Sequence, residues 1–277
     1  MLGCMFDWWR RLSRAEVIAE AFPAEFREHV LRRVPCAELL SDDELTKLET
    51  LVRIFNSEKS FEAAGGLELT EEMRVTVAAR ACLLVLWRVE LESPLFPELD
   101  TVIIYPSTYR ARVKQTEGFV TIEGEQARLG ESWTRGVVVL SWDAVVTGAA
   151  NPSDGHDVVL HEFAHQLDGE DGTMDGTPEL DDSEHYSAWS SVAGETYTAL
   201  QKAVDQHRKT SIDAYGATNE AEFFAVVVEQ FFEKPAALTR LHPELYSELT
   251  VFFRFDPAER LRERSQAGRP TGRRPRG

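Results

Sequence analysis

Cysteine is scarce in this 277-residue chain, which has only Cys4, Cys36 and Cys82. An odd number with no C-x-x-C pair excludes a disulfide framework and a cysteine-built zinc site, and it fits a reducing compartment. A cytoplasmic location is therefore expected. Long apolar runs are lacking too. The longest, "ACLLVLW" at 81–87, falls far short of the roughly 20 residues needed to cross a bilayer. The opening "MLGCMFDWWRRLSRAE" does not read as a secretory signal, because Asp7 breaks its apolar stretch and the arginines follow rather than precede it. Positive charge is in deficit, with 30 Lys and Arg against 47 Asp and Glu and a net charge of −17. Part of that small supply is confined to residues 259–277, which hold seven Arg and two Glu. The rest of the chain is acidic enough to repel nucleic acid and anionic membranes, so neither is expected as a partner.

What is present is a chain long enough to bury a substantial core. "SDDEL" (41–45) reads as a capping box, Ser41 preceding Glu44 by one helical turn, and the apolar residues after it are helically spaced. "FNSEKSFEAAGG" (55–66) reads as a loop, and "LTEEMRVTVAARACLLVLW" (69–87) as a core helix. From about residue 100 the pattern changes. "TVIIYP" (101–106), "GFVTIEG" (118–124) and "RGVVVLSW" (135–142) are β-branched runs, which suggests three or four mostly antiparallel strands. "TGAANPSDG" (147–155) reads as a loop in which Asp154 would cap a following helix that Gly169 stops. Further helices are expected over 186–204, from 219 to Pro235, and over 242–257. The arginine-rich end has too little apolar content to join a core and is expected to be disordered.

The chemistry centres on "DVVLHEFAHQLDG" (157–169). On a helix, His161 and His165 lie about 40° apart, one turn along the same face, and can offer two imidazoles to one metal ion. Glu162 lies about 100° round, placed to reach a water on that metal. This is the mechanics of H-E-x-x-H, in which zinc acidifies the water and the glutamate takes its proton. Val158, Val159, Leu160, Phe163, Ala164 and Leu167 make the helix apolar on nearly all sides, so its histidines need a buried partner. A catalytic zinc takes a third protein ligand. Asp171 is a local option, although the sharp turn it needs would fall on Asp168 rather than glycine. The helix from 219 offers Glu220, Glu222, Glu229 and Glu233, and composition does not separate Glu220 from Glu222. Asp157 and Asp168 are candidates to orient the histidines from behind. His156, His185, His207 and His242 read as surface residues.

The segments "HEFAHQLDG", "SIDAYGATNEAEFFAVVVEQFFEKP", "VIIYP" and "GESWTRGVVVLSW" together resemble the Mlc titration factor A family of bacterial zinc metallopeptidases, over roughly residues 30–260. The resemblance implies an α+β fold. A zincin-like metallopeptidase core, with a small mixed sheet and an active-site helix as in the catalytic domain of anthrax lethal factor, would follow a mainly helical N-terminal part. The expected division is a helical part over 1–95, the core over 96–260 and a disordered basic tail over 261–277. The resemblance also implies Zn²⁺ held by His161, His165 and Glu222, with Glu162 as general base and Tyr215 as the active-site tyrosine. The implied activity is aminopeptidase-like, on peptide substrates. Some members of the family bind the repressor Mlc, so a transcriptional repressor is a second expected partner. The alternative function is a non-catalytic zinc fold that regulates transcription by sequestering such a repressor. An intact Glu162 argues against it, because sequestration needs no base. The strand at 136–140 is a candidate to pair with an extended substrate. The arginine-rich tail has no counterpart in the family pattern.

Overall fold

A computed structural model describes residues 14–107, 136–151 and 153–267. The first thirteen residues and the segment with "GFVTIEG" and "GESWTR" lie outside the described residues. The described chain is mostly helical. Helices α1 (Arg14–Ala19), α2 (Ala24–Arg33), α3 (Asp42–Glu58) and α4 (Glu71–Val85) come first. The capping box forms as expected, with Ser41 N–H donating to Glu44 Oε2 at 2.7 Å and Glu44 N–H to Ser41 Oγ at 3.3 Å. From Met73 to Val85 nearly every residue of α4 is buried, as its all-round apolar pattern requires.

Among the described residues three strands form one sheet in the order β1 (Ser60–Ala63), β2 (Thr101–Tyr105), β3 (Val137–Ser141). Both pairings among the described residues are parallel, which corrects the mostly antiparallel arrangement expected of these strands. The reason lies in the connection. β1 and β2 are joined through α4, and a long crossover returns the chain in the same direction, whereas an antiparallel pair needs only a tight turn. β1 itself lies inside the stretch read as a loop. Its one buried apolar side chain is Phe61, and its place is fixed by backbone bonds from Ser60 N–H to Asp100 O and from Ala64 N–H to Ile104 O. The sheet thus takes a strand from the part read as mainly helical. Along β2 and β3, Val102, Ile104, Val138 and Leu140 are buried alternately, so one face packs on the helices.

The second half runs through α5 (Trp142–Ala150), α6 (Val158–Asp168), α7 (Ser183–Asp205), α8 (Glu220–Glu233), α9 (Pro235–Leu241), α10 (Pro243–Phe253) and α11 (Pro257–Ala267). Two expectations shift here. Residues 147–150 belong to α5 rather than to a loop, and the cap of α6 is Asp157, not Asp154. Asp154 instead accepts from the His156 N–H and holds the loop before the helix. α6 packs chiefly against α8, and also on α4, α5 and β3. Phe163 of α6 is fully buried against Phe55 and Phe96, with ring centroids 5.8 and 5.0 Å away. α8 is buried from Glu222 to Phe232, with Phe223 against Tyr197 and Phe224 against Trp189 of α7.

Residues 261–267, expected to begin a disordered tail, instead continue α11 to Ala267, and the rest of that segment lies outside the described residues. Composition missed it because its ion pairs reach residues far away in the chain. Arg260 meets Glu44 at 2.7 Å and Arg264 meets Glu38 at 2.7 Å, while Asp256 accepts the Glu259 N–H at the helix start. No helix among the described residues is long and apolar enough to cross a membrane.

Candidate metal centre

Asp157 opens α6 by accepting the N–H groups of Val159 and Leu160 at 2.9 and 3.2 Å. That cap fixes the phase of the helix, so His161 and His165 stand one turn apart with ring centroids 4.9 Å apart and planes at 82°. α8 supplies the facing side. Asn219 caps it by accepting the Glu222 N–H at 2.8 Å, and this places Glu222 in the first turn. Glu222 Oε2 then lies 3.0 Å from His161 Nε2 and 3.6 Å from His165 Nε2. One ligand atom from each of the three residues lies within 4.8 Å of the other two. Among the described residues this is the group that could hold a metal ion. The donor set fits a divalent cation such as Zn²⁺, two imidazoles and one carboxylate leaving a coordination position free.

The electrostatics point the same way. Burial disfavours a charged His161, yet the flanking carboxylates of Glu222 and Glu229 outweigh it and push the imidazole up to about 10. Glu222 is pulled down to about 2, burial being overcome by the two histidines. His165 is shifted down, mainly by burial. Glu162 is only 3% exposed, and its Oε2 is a buried oxygen with no hydrogen-bond partner. Burial, with help from Glu222 and Glu229 and against His161, raises this carboxyl to about 7. Several carboxylates converging on one space favour a cation there.

These residues open onto a cleft of about 430 Å³ lined by His161, Glu162, His165, Tyr215, Glu222 and Glu229 among others. Tyr215 sits in the 3₁₀ turn Ala214–Ala217, which Asp213 caps by accepting the Tyr215 N–H at 2.8 Å. Its ring centroid is 6.0 Å from that of His161. Burial and a hydrogen bond to Glu222 push its hydroxyl up to about 12, so it remains a proton donor at neutral pH. The structure therefore brings His161, Glu162, His165, Tyr215 and Glu222 together. It does not bring Asp171, whose carboxylate turns back to the Thr173 N–H and hydroxyl, or the exposed Glu220.

The residues expected behind the histidines are placed differently. Asp168 accepts the Gly176 N–H at 3.0 Å. Gly176 has φ +77°, and an added Cβ would meet Glu220 O at 2.3 Å, so only glycine fits where this loop crosses the start of α8. The group behind His161 is Glu229, with Oε1 2.8 Å from His161 Nδ1. Sequence reasoning counted Glu229 only among possible ligands. The available signal was its spacing, two turns beyond Glu222 on the same face of α8. His156, read as an unrelated surface residue, lines the cleft rim near Asp213.

Comparison with known proteins gives the family. The family model described as glucose-regulated metallo-peptidase M90 matches residues 6–254. An uncharacterized protein of Synechocystis sp. is 37% identical over 254 residues, covering 91% of each chain. "Mlc titration factor A" of Klebsiella pneumoniae is 30% identical over 263 residues, covering 94% of this chain and 95% of its own. The protein of the same name in Yersinia pestis is 29% identical over 269 residues, 95% of each. With three residues that could hold a metal ion in its cleft and a family match along most of its length, the chain belongs to the glucose-regulated metallo-peptidase M90 family.

Proposed function

We propose that this protein is a zinc-dependent metallopeptidase of the zincin type, aminopeptidase-like, acting on peptides in the cytoplasm. The observation that carries the reading is the buried, unpartnered Glu162 Oε2 beside the convergent His161, His165 and Glu222. Burying a carboxylate oxygen without a partner is costly, and a base facing a reacting water explains the expense. Zn²⁺ at these ligands would supply a Lewis acid for the scissile carbonyl and an acidified water. Glu162 takes the proton of the attacking water at Oε2 and returns it to the leaving amine. Tyr215 donates its hydroxyl to the oxyanion of the tetrahedral intermediate. β3, an edge of the three described strands, offers backbone groups to an extended substrate. In this reading residues 96–260 carry the chemistry and the N-terminal helices brace it. The relatives' name, Mlc titration factor A, supports a second role in binding a transcriptional repressor of the Mlc kind.

Glu162→Gln tests the assignment. It should retain metal and fold while lowering peptide cleavage by about 10²–10⁴-fold, the usual contribution of a general acid–base group. A variant that cleaves at the wild-type rate would refute the role of Glu162, and repressor binding that survives the substitution would separate the two functions.

A further inference from the structure

Arg80 lies on α4, outside the cleft, and is 1% exposed. A guanidinium buried to that degree requires partners for its donors and its charge. Its Nε and Nη2 donate to Arg33 O at 3.0 and 2.8 Å, at the end of α2. Its Nη1 donates to Val145 O at 3.2 Å and to Asp157 Oδ1 at 3.0 Å, and also lies 3.0 Å from Asp157 Oδ2. Asp157 is only 3% exposed and is the cap of α6. Its own N–H donates to Glu229 Oε2 at 2.6 Å. The other oxygen of Glu229 is the one 2.8 Å from His161 Nδ1. An unbroken line of polar contacts thus runs from α4 through α6 and α8 to the back of a ligand histidine. Gly148 of α5 closes over it, since a Cβ there would meet His156 O at 2.9 Å.

We infer that Arg80 is a positioning residue for the metal centre, acting through Asp157 and Glu229 to hold His161 with its Nδ1–H turned back and its Nε2 toward the ligand position. The physical reason is sequential. Glu229 can present Oε1 to the ring only while Oε2 is held, and the holder is the Asp157 N–H. That N–H is fixed because the Asp157 carboxylate is clamped between the Arg80 guanidinium and the α6 amides. Removing Arg80 leaves a buried, unpaired carboxylate at Asp157, which must shift, protonate or draw in water. Each of these loosens Glu229 and then the ring. A carboxylate behind a ligand histidine typically alters metal affinity by about 10–100-fold. The inference extends that influence two residues further, into the N-terminal helices, and it rests on the metallopeptidase reading above.

The test uses the full-length chain with Arg80→Met, Glu229→Gln and the double variant. Two quantities are read: the Zn²⁺ dissociation constant by competition with a chromophoric chelator, and the His161 Nδ1–H resonance by ¹⁵N NMR after metal removal. Arg80→Met should weaken zinc binding about tenfold or more and broaden or shift the Nδ1–H resonance. The double variant should bind no more weakly than Glu229→Gln alone, because the two residues act in series. Arg80→Lys, which keeps charge but not the forked geometry, should fall between wild type and Arg80→Met. If Arg80→Met does not fold, Asp157→Asn keeps a capping side chain and must show the same two effects. Wild-type zinc affinity with an unmoved resonance in a folded variant would overturn the inference, as would losses that multiply in the double variant. If the wild type itself binds no zinc, the metallopeptidase reading fails, and the resonance alone still decides whether Arg80 positions His161.

Discussion

Tyr215 and Glu233 show how burial sets the behaviour of single residues in this molecule. Tyr215 is 38% exposed at the mouth of the cleft, yet its hydroxyl is held protonated beside Glu222. Tyr215→Phe should leave metal content unchanged and lower kcat by about 10²–10³-fold, the range for losing one oxyanion donor. Steady-state kinetics with metal analysis checks both halves. Glu233 lies one turn beyond Glu229 at the end of α8 and is not among the residues that line the cleft. Burial, with Asp157, Asp154 and Glu229 nearby, pushes its carboxyl up to about 8. A carboxyl raised in the folded state favours its neutral form. Its stabilising contribution is therefore fully present below the unfolded value near 4.5 and is lost as pH rises through about 8. Glu233→Gln should melt like wild type at about pH 4.5 and become progressively more stable than wild type towards pH 9, by a few degrees once its partial exposure is discounted. Parallel melting curves across that range would contradict the assignment.

Among the elements, α6 and α8 were legible in the sequence. Their apolar residues recur at helical spacing, and H-E-x-x-H specifies both a conformation and a chemistry. Their caps were less so: Asp154 and Asp157 are equally good capping residues, and the distant partners of Asp157, Arg80 and Glu229, are not visible in the local sequence. β1 was not legible, since a four-residue strand with one buried apolar side chain carries no periodicity of its own. The parallel sense of the sheet was hidden for a related reason, because strand direction resides in the crossover. α11 was missed because its supports are distant, Arg260 reaching back 216 residues to Glu44. Deleting 257–277 removes both arginine anchors and uncovers Phe255, which stacks on Trp87 at 3.8 Å. The truncated chain should melt several degrees lower. An unchanged melting temperature would return this segment to the status of a dispensable tail.

At the scale of the whole molecule, the site is assembled from two distant stretches of chain. α6 supplies His161, Glu162 and His165, α8 supplies Glu222 and Glu229, and the turn before α8 supplies Tyr215. The ligand set could be approached from sequence because both stretches carry chemistry-bearing residues in short patterns. The brace behind it could not, for Arg80 and Asp157 meet across 77 residues and His161 and Glu229 across 68. The acidity of the chain also takes on a local meaning, since Glu162, Glu222 and Glu229 crowd one cleft that a divalent cation would neutralise. The central claim is that His161, His165 and Glu222 bind a catalytic zinc. The most direct measurement is metal content per chain in purified wild type, Glu222→Ala, Glu220→Ala and Asp171→Ala. The account predicts about one Zn²⁺ per chain in all but Glu222→Ala, which should lose metal and peptidase activity together while remaining folded. A well-folded wild type without metal, or zinc retained by Glu222→Ala and lost by Asp171→Ala, would contradict it.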